Sequence, residues 1–176
     1  MKNVVKIFCL LIVVIAMSSV AANAQTKGDK AVGVSLALSN GSSFTNYGIS
    51  IKYQKNIFNR VCLEGELSSY FKKDDIKMTD LSVYGHYLFK TSDKLVAYPL
   101  VGIGLWDITN SRKYGDGYEY EDKYDPESNI KIPISFGGGV DYTLIEKLFL
   151  NAEAKYKVMN NSSSRFIISV GIGYRF

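Results

Sequence analysis

The chain's last eight residues, Ser169-Val-Gly-Ile-Gly-Tyr-Arg-Phe176, carry an apolar side chain at every second position and stop on phenylalanine. A terminal strand of a soluble domain usually frays into a few solvated residues. Here no polar tail follows. The period of two is that of a β-strand, with Ser169, Gly171, Gly173 and Arg175 on one face and Val170, Ile172, Tyr174 and Phe176 on the other. Which face meets water decides the fold.

The same alternation recurs upstream. It predicts eight strands, at Lys30–Ser39, Asn46–Lys55, Arg60–Phe71, Thr79–Phe89, Ala97–Trp106, Ile130–Tyr142, Leu148–Val158 and Arg165–Phe176. One face is bulky and apolar in every strand: Val32 to Leu38, Tyr47 to Tyr53, Leu81 to Phe89, Val101 to Leu105, Ile130 to Tyr142, and so on at alternate residues. It holds no charge. The opposite face is small or polar. A soluble barrel would turn the apolar face inward and need a charged exterior, yet the polar face of the first strand offers only Gly33, Ser35 and Ala37. An eight-stranded barrel also has too narrow an interior for so many large side chains. The apolar face therefore points outward, into lipid, where a mid-depth Lys or Arg costs about 2–4 kcal/mol. A sheet in hydrocarbon must close on itself to pair its edges. The expected fold is all-β, an eight-stranded antiparallel up-and-down transmembrane β-barrel. Short connections at 56–59, 90–96 and 143–147 are expected on the periplasmic side, with the longer 72–78 and 107–129 outside. Tyr53, Tyr87, Phe89, Tyr142, Tyr174 and Phe176 fall at one rim, and Tyr47, Phe71 and Phe166 approach the other, as interfacial girdles do.

Residues 1–24 have the make-up of a secretory signal peptide: Lys2 and Lys6, the apolar run Ile7–Met17, and Ala22-Asn-Ala24 before Gln25. The expected mature domain is 25–176. Without Lys2 and Lys6, 19 Lys and Arg face 17 acids, a net charge of +2. That balance predicts no nucleic-acid partner. Cys62 is then the one cysteine, so no internal disulfide can form. The 13 Tyr, 9 Phe and 15 Gly beside 3 Pro agree with an all-β chain.

The chain resembles the small eight-stranded outer-membrane barrel family typified by outer membrane proteins A and X. The resemblance covers residues 30–176 and rests chiefly on the last strand, with weaker support from Tyr98–Trp106 (YPLVGIGLW) and Leu150–Val158 (LNAEAKYKV). It implies a bacterial outer-membrane location, contact with outer-membrane lipid, and a signal for the barrel-assembly machinery in Gly171, Tyr174 and Phe176. No C-terminal peptidoglycan-binding domain is read, so the tethering role of larger relatives is not carried over. A monomer is expected.

The inward-facing charges are Lys52, Lys155, Lys157 and Arg175 against Glu64, Glu66, Asp141 and Glu153. In a narrow tube they are expected to pair as a polar core; the alternative is the constriction of a narrow pore for small solutes. His86 joins this lumen set as the only histidine. Ser82, four residues away on the same face, sits about 13 Å off at strand rise, too far for a nucleophile–base pair. No enzyme, no cofactor and no transition-metal site is expected. The segment 110–129 mixes acids with Tyr114, Tyr118, Tyr120 and Tyr124. It is a solvated loop or a surface for an extracellular protein or ligand, which makes an adhesion-like or structural role the leading expectation.

Overall fold

The structure is a computed structural model, and it describes residues 28–41, 45–73, 76–110, 127–159 and 164–176. The leader and the four loop tyrosines, Tyr114, Tyr118, Tyr120 and Tyr124, lie outside the described residues. The strands are β1 (Lys30–Asn40), β2 (Thr45–Phe58), β3 (Val61–Lys73), β4 (Ile76–Tyr87), β5 (Phe89–Lys90), β6 (Leu95–Asn110), β7 (Glu127–Lys131), β8 (Ile134–Ile145), β9 (Leu148–Val158) and β10 (Arg165–Arg175). Among the described residues no helix is long and apolar enough to cross a membrane.

These ten segments make eight staves. β4 and β5 are one stave interrupted at Leu88, whose side chain is buried. β7 and β8 are another, interrupted at Pro133, which has no N–H to give the ladder. The register does not slip across that break: Trp106 faces Lys131 and Ile103 faces Ile134. Every neighbouring pair is antiparallel, and β4 pairs with β6 from Ile76↔Asn110 to His86↔Leu100. The circle closes where β1 meets β10, from Ala31↔Arg175 to Asn40↔Phe166. Past the last ladder pair, the Phe176 N–H donates to the Lys30 carbonyl at 2.9 Å, and the Lys30 N–H donates to the Phe176 carbonyl at 3.3 Å. Phe176 therefore closes the seam with its backbone and leaves its ring on the outside.

The size of the cylinder follows from its register. Stepping across each ladder from Lys30 gives Lys55, Leu63, Gly85, Val101, Phe136, Tyr156, Phe166 and then Asn40, a return displaced by 10 residues, from 30 to 40. For eight staves that stagger requires a tilt of about 41° and one revolution of about 25 Å in height. On β1 the outward residues between Lys30 and Asn40 are Val32, Val34, Leu36 and Leu38, all apolar. The polar residues that bound the apolar band on β1, Lys30 and Asn40, thus stand about 25 Å apart in height, the band height of a membrane barrel.

Burial is inverted relative to a soluble domain. Leu36 and Ile132 are 70% and 72% exposed, whereas Glu64 and Lys155 are 0% and 1% exposed. The inner face is less uniformly small than its sequence predicts, because Tyr70, Tyr84, Tyr98, Trp106 and Phe149 are buried in it. Glycines opposite these rings provide the room. A Cβ on Gly173 would sit 2.3 Å from Phe149 Cζ, and one on Gly102 would sit 2.4 Å from Tyr84 Cδ1. Outward-facing Gly65 has nothing within 4 Å. Gly173→Ala and Gly102→Ala should each destabilise the barrel by about 1–3 kcal/mol through overpacking, with Gly65→Ala close to neutral. Urea midpoints in detergent micelles check the order of the three.

Toward the end that carries the β6–β7 connection, Ala37, Tyr70, Met78, Trp106, Met159 and Ile167 form an apolar cluster inside the barrel. Tyr70 and Trp106 lie with ring centroids 5.3 Å apart. A second cluster of Cys62, Tyr84, Leu88, Val96, Tyr98 and Leu100 lines the β3–β6 wall.

Candidate functional site: the charged lumen

The alternating pattern turns every charged side chain of the strand centres inward, where water is scarce and partners are required. Three tiers of contacts result. In the middle, Lys52 Nζ donates to Glu153 Oε2 at 2.5 Å and to Asn151 Oδ1 at 3.0 Å, and stands 3.9 Å from Glu64 Oε1. Lys155 pairs with Glu66 and reaches Glu153 Oε2 at 2.9 Å. Gln54 donates to Glu64 Oε2 at 2.7 Å, and Ser68 donates to Glu66 at 2.8 Å.

Toward the β6–β7 end, Lys157 donates to Asp80 Oδ2 at 2.5 Å and to Ser82 Oγ at 2.9 Å, and the Ser82 hydroxyl donates to Asp80 at 2.8 Å. Lys157 also lies 5.2 Å from the Trp106 ring centroid and 5.6 Å from that of Tyr84. At the opposite end Arg175 pairs with Asp141 at 3.5 Å and donates to Thr143 Oγ1 at 3.0 Å, while its guanidinium lies 4.2 Å from the Phe149 centroid. The Asn151 amide donates to Asp141 at 2.8 Å and to the Tyr98 hydroxyl at 2.6 Å, and that hydroxyl donates to Glu153 Oε1 at 2.9 Å. The lower and middle tiers are one network.

Lys52, Lys155, Lys157, Arg175, Glu64, Glu66, Asp141 and Glu153 each stand within ion-pair distance of an opposite charge. Sequence reasoning missed Asp80, the partner of Lys157. Its signal was available, since Asp80 shares the even parity of Ser82, Tyr84 and His86 on β4. Gln54, Asn151 and Tyr98 also join the network, and only their inward parity could have marked them. His86 lies flat on Tyr98, with centroids 4.6 Å apart and planes 5° from parallel, and its Nε2 has no hydrogen-bond partner among the described residues. Its facing residue on β3 is Cys62, whose thiol donates to the Leu63 carbonyl at 3.5 Å. Glu64, His86 and Glu153 come from three strands, and one ligand-type atom of each lies within 4.8 Å of the others. No spacing in the sequence shows that meeting.

A closed eight-stave cylinder with a lipid-type exterior and a charged interior matches one family over nearly its whole length. Residues 7–176 fit the outer membrane protein beta-barrel domain family. The chain belongs to that family. As a member of it, the protein resides in the bacterial outer membrane. No curated protein matches the chain closely. Among solved structures, the attachment invasion locus protein Ail of Yersinia pestis superposes with a TM-score of 0.60 at 18% identity, covering 86% of this chain and 100% of that one. Neisserial surface protein A superposes with a TM-score of 0.65 at 15% identity, covering 84% and 96%. The outer membrane protein OprG of Pseudomonas aeruginosa gives 0.57 at 12% identity, covering 89% and 99%. At such identities the likeness is one of fold.

Proposed function

We propose that this family member is a monomeric, plugged barrel whose work is done at the cell surface by the β6–β7 ribbon and the segment it carries. The carrying observation is the length of that ribbon. Leu105 is the last outward apolar residue of β6, yet the ladder to β7 continues from Trp106↔Lys131 to Asn110↔Glu127. Five further residues lift the strand end about 13 Å above Leu105. Ile130, 67% exposed, faces Asp107 at the root of this extension. The segment between the strands, 111–126, holds Tyr114, Tyr118, Tyr120 and Tyr124, and five acids against Arg112, Lys113 and Lys123.

Tyrosines among surplus acids suit a basic protein surface, since aromatic side chains anchor interfaces and opposite charge steers association. Ail has been crystallised with a heparin analogue, sucrose octasulfate, and the net negative charge of 111–126 argues against a polyanion of that kind here. Cells displaying the full chain should adhere to surfaces coated with a basic protein and not to heparin-coated ones. Replacing 111–126 by a short Gly-Ser linker should abolish adhesion while leaving the heat-modifiable gel shift of the folded barrel. Undiminished adhesion after the replacement overturns the reading.

The three tiers of paired charge favour a plug over the narrow pore that is the second reading. Stable unitary conductance steps in planar bilayers would favour the pore. No catalytic role is assigned, because Ser82 is engaged by Asp80 and Lys157 and His86 is stacked on Tyr98. Gly171, Tyr174 and Phe176 are read as the segment presented to the barrel-assembly machinery. Tyr174 and Phe176 are exposed on the outer face of the closed barrel.

A further inference from the structure

We propose that Glu64, His86 and Glu153 form a site inside the barrel for a divalent transition ion of the zinc class. The first support is geometric. One donor atom from each residue lies within 4.8 Å of the other two. A tetrahedral zinc ion about 2.0–2.2 Å from each donor requires separations of about 3.3–3.6 Å, so the three side chains must draw in by up to about 1 Å to hold it.

The second support is independent of that geometry. Among the described residues, His86 Nε2 and Glu64 Oε1 are both buried without a hydrogen-bond partner, on residues 2% and 0% exposed. Lys52 Nζ, at 3.9 Å from Glu64 Oε1, is beyond hydrogen-bond reach. Unmatched buried polar atoms call for a cause; ten side-chain atoms stand so among the described residues, and these two are the ones that belong to metal-ligating side chains. An imidazole nitrogen and a carboxylate oxygen, they belong to two of the three residues that meet within 4.8 Å. The middle tier also carries surplus negative charge, with Glu64, Glu66 and Glu153 against Lys52 and Lys155.

The surroundings resemble the outer support that metal ligands receive. Gln54 holds the other oxygen of Glu64 at 2.7 Å. Tyr98 donates to Glu153 Oε1 and fixes the imidazole plane by stacking. An imidazole with two carboxylates selects zinc and its neighbours over Ca²⁺ or Mg²⁺, which take six or more oxygens. Lys52 and Lys155 on Glu153 oppose the ion, so the site is weaker than an isolated triad. Because the lumen is narrow, the ion is expected to enter as the barrel folds.

His86 is the only histidine, so one ring reports on occupancy. The mature chain, without a polyhistidine tag, would be refolded into detergent micelles with Zn²⁺ or Mg²⁺ and freed of excess metal. We expect about one Zn²⁺ per chain, a shift of the His86 imidazole ¹⁵N resonances with Zn²⁺ alone, and at least a tenfold loss of affinity in His86→Gln and Glu64→Gln. Cys62→Ser should change nothing. Unmoved imidazole resonances in the wild-type protein overturn the proposal whether or not the variants fold. So does full Zn²⁺ retention by a folded His86→Gln barrel.

Discussion

Glu153→Ala is expected to cost the barrel roughly 3–5 kcal/mol, the range for removing one partner of a buried ion pair. Glu153 accepts from Lys52 and Lys155 on one oxygen and from Tyr98 on the other. Truncation leaves Lys155 with Glu66 alone, Lys52 with Asn151 and a Glu64 oxygen 3.9 Å away, and the Tyr98 hydroxyl with only its longer donation to Asp141 at 3.3 Å. Because the cluster is buried, the loss should hardly change between low and high salt, unlike that of a surface pair. Glu153→Gln, which keeps the acceptor oxygen for Tyr98, should lose less. The measurement is urea unfolding in micelles, followed by gel migration and by fluorescence of Trp106, the only tryptophan and fully buried. An unchanged midpoint in Glu153→Ala would show that the lumen pairs do not hold the cylinder.

Val101→Arg should have a comparable effect for a different reason. Val101 is 61% exposed to the surroundings of the cylinder and lies four ladder steps from Lys30 on the path that climbs the full band. Half of one revolution places it near the middle of the bilayer. Arginine there should cost about 2–4 kcal/mol, falling to about 0–1 kcal/mol at an interface. Thr79→Arg, two residues beyond the apolar Leu81 on β4, is the interfacial comparison. The gradient must be read in lipid vesicles. Equal and negligible costs at both positions would mean that the apolar face does not meet acyl chains.

Much of this architecture was legible because strand parity is a local property. Val32 to Leu38 and Val101 to Leu105 announce their outward face without reference to any neighbour. Where β6 runs on past Trp106, Asp107, Thr109 and Asn110 have no strand signal of their own. They are held extended by pairing with β4 on one side and β7 on the other. The break at Pro133 fell inside a predicted strand for a related reason: Ile130, Ile132 and Ile134 keep their alternation across it. In the lumen, parity names which charges point inward but not their partners. Lys157 and Asp80 are 77 positions apart, and only the 10-residue stagger brings them to the same height. The fit of Phe149 over Gly173 likewise exists only once β9 and β10 are in register.

The distribution of counter-charges constrains how such a cylinder can be made. Lys52, Glu66 and Asp80 lie on β2, β3 and β4, yet each finds its strongest opposite on β9, in Glu153, Lys155 and Lys157. A half-built wall that entered hydrocarbon before the penultimate stave arrived would carry Asp80 without Lys157 and would leave Lys52 only the β3 carboxylates, Glu64 at 3.9 Å and Glu66 across the ladder. Insertion of the wall before β9 arrives is therefore disfavoured. The electrostatics call for a sheet kept wet or chaperoned until its last hairpin docks, and for a final step in which neutralisation, closure and membrane entry coincide.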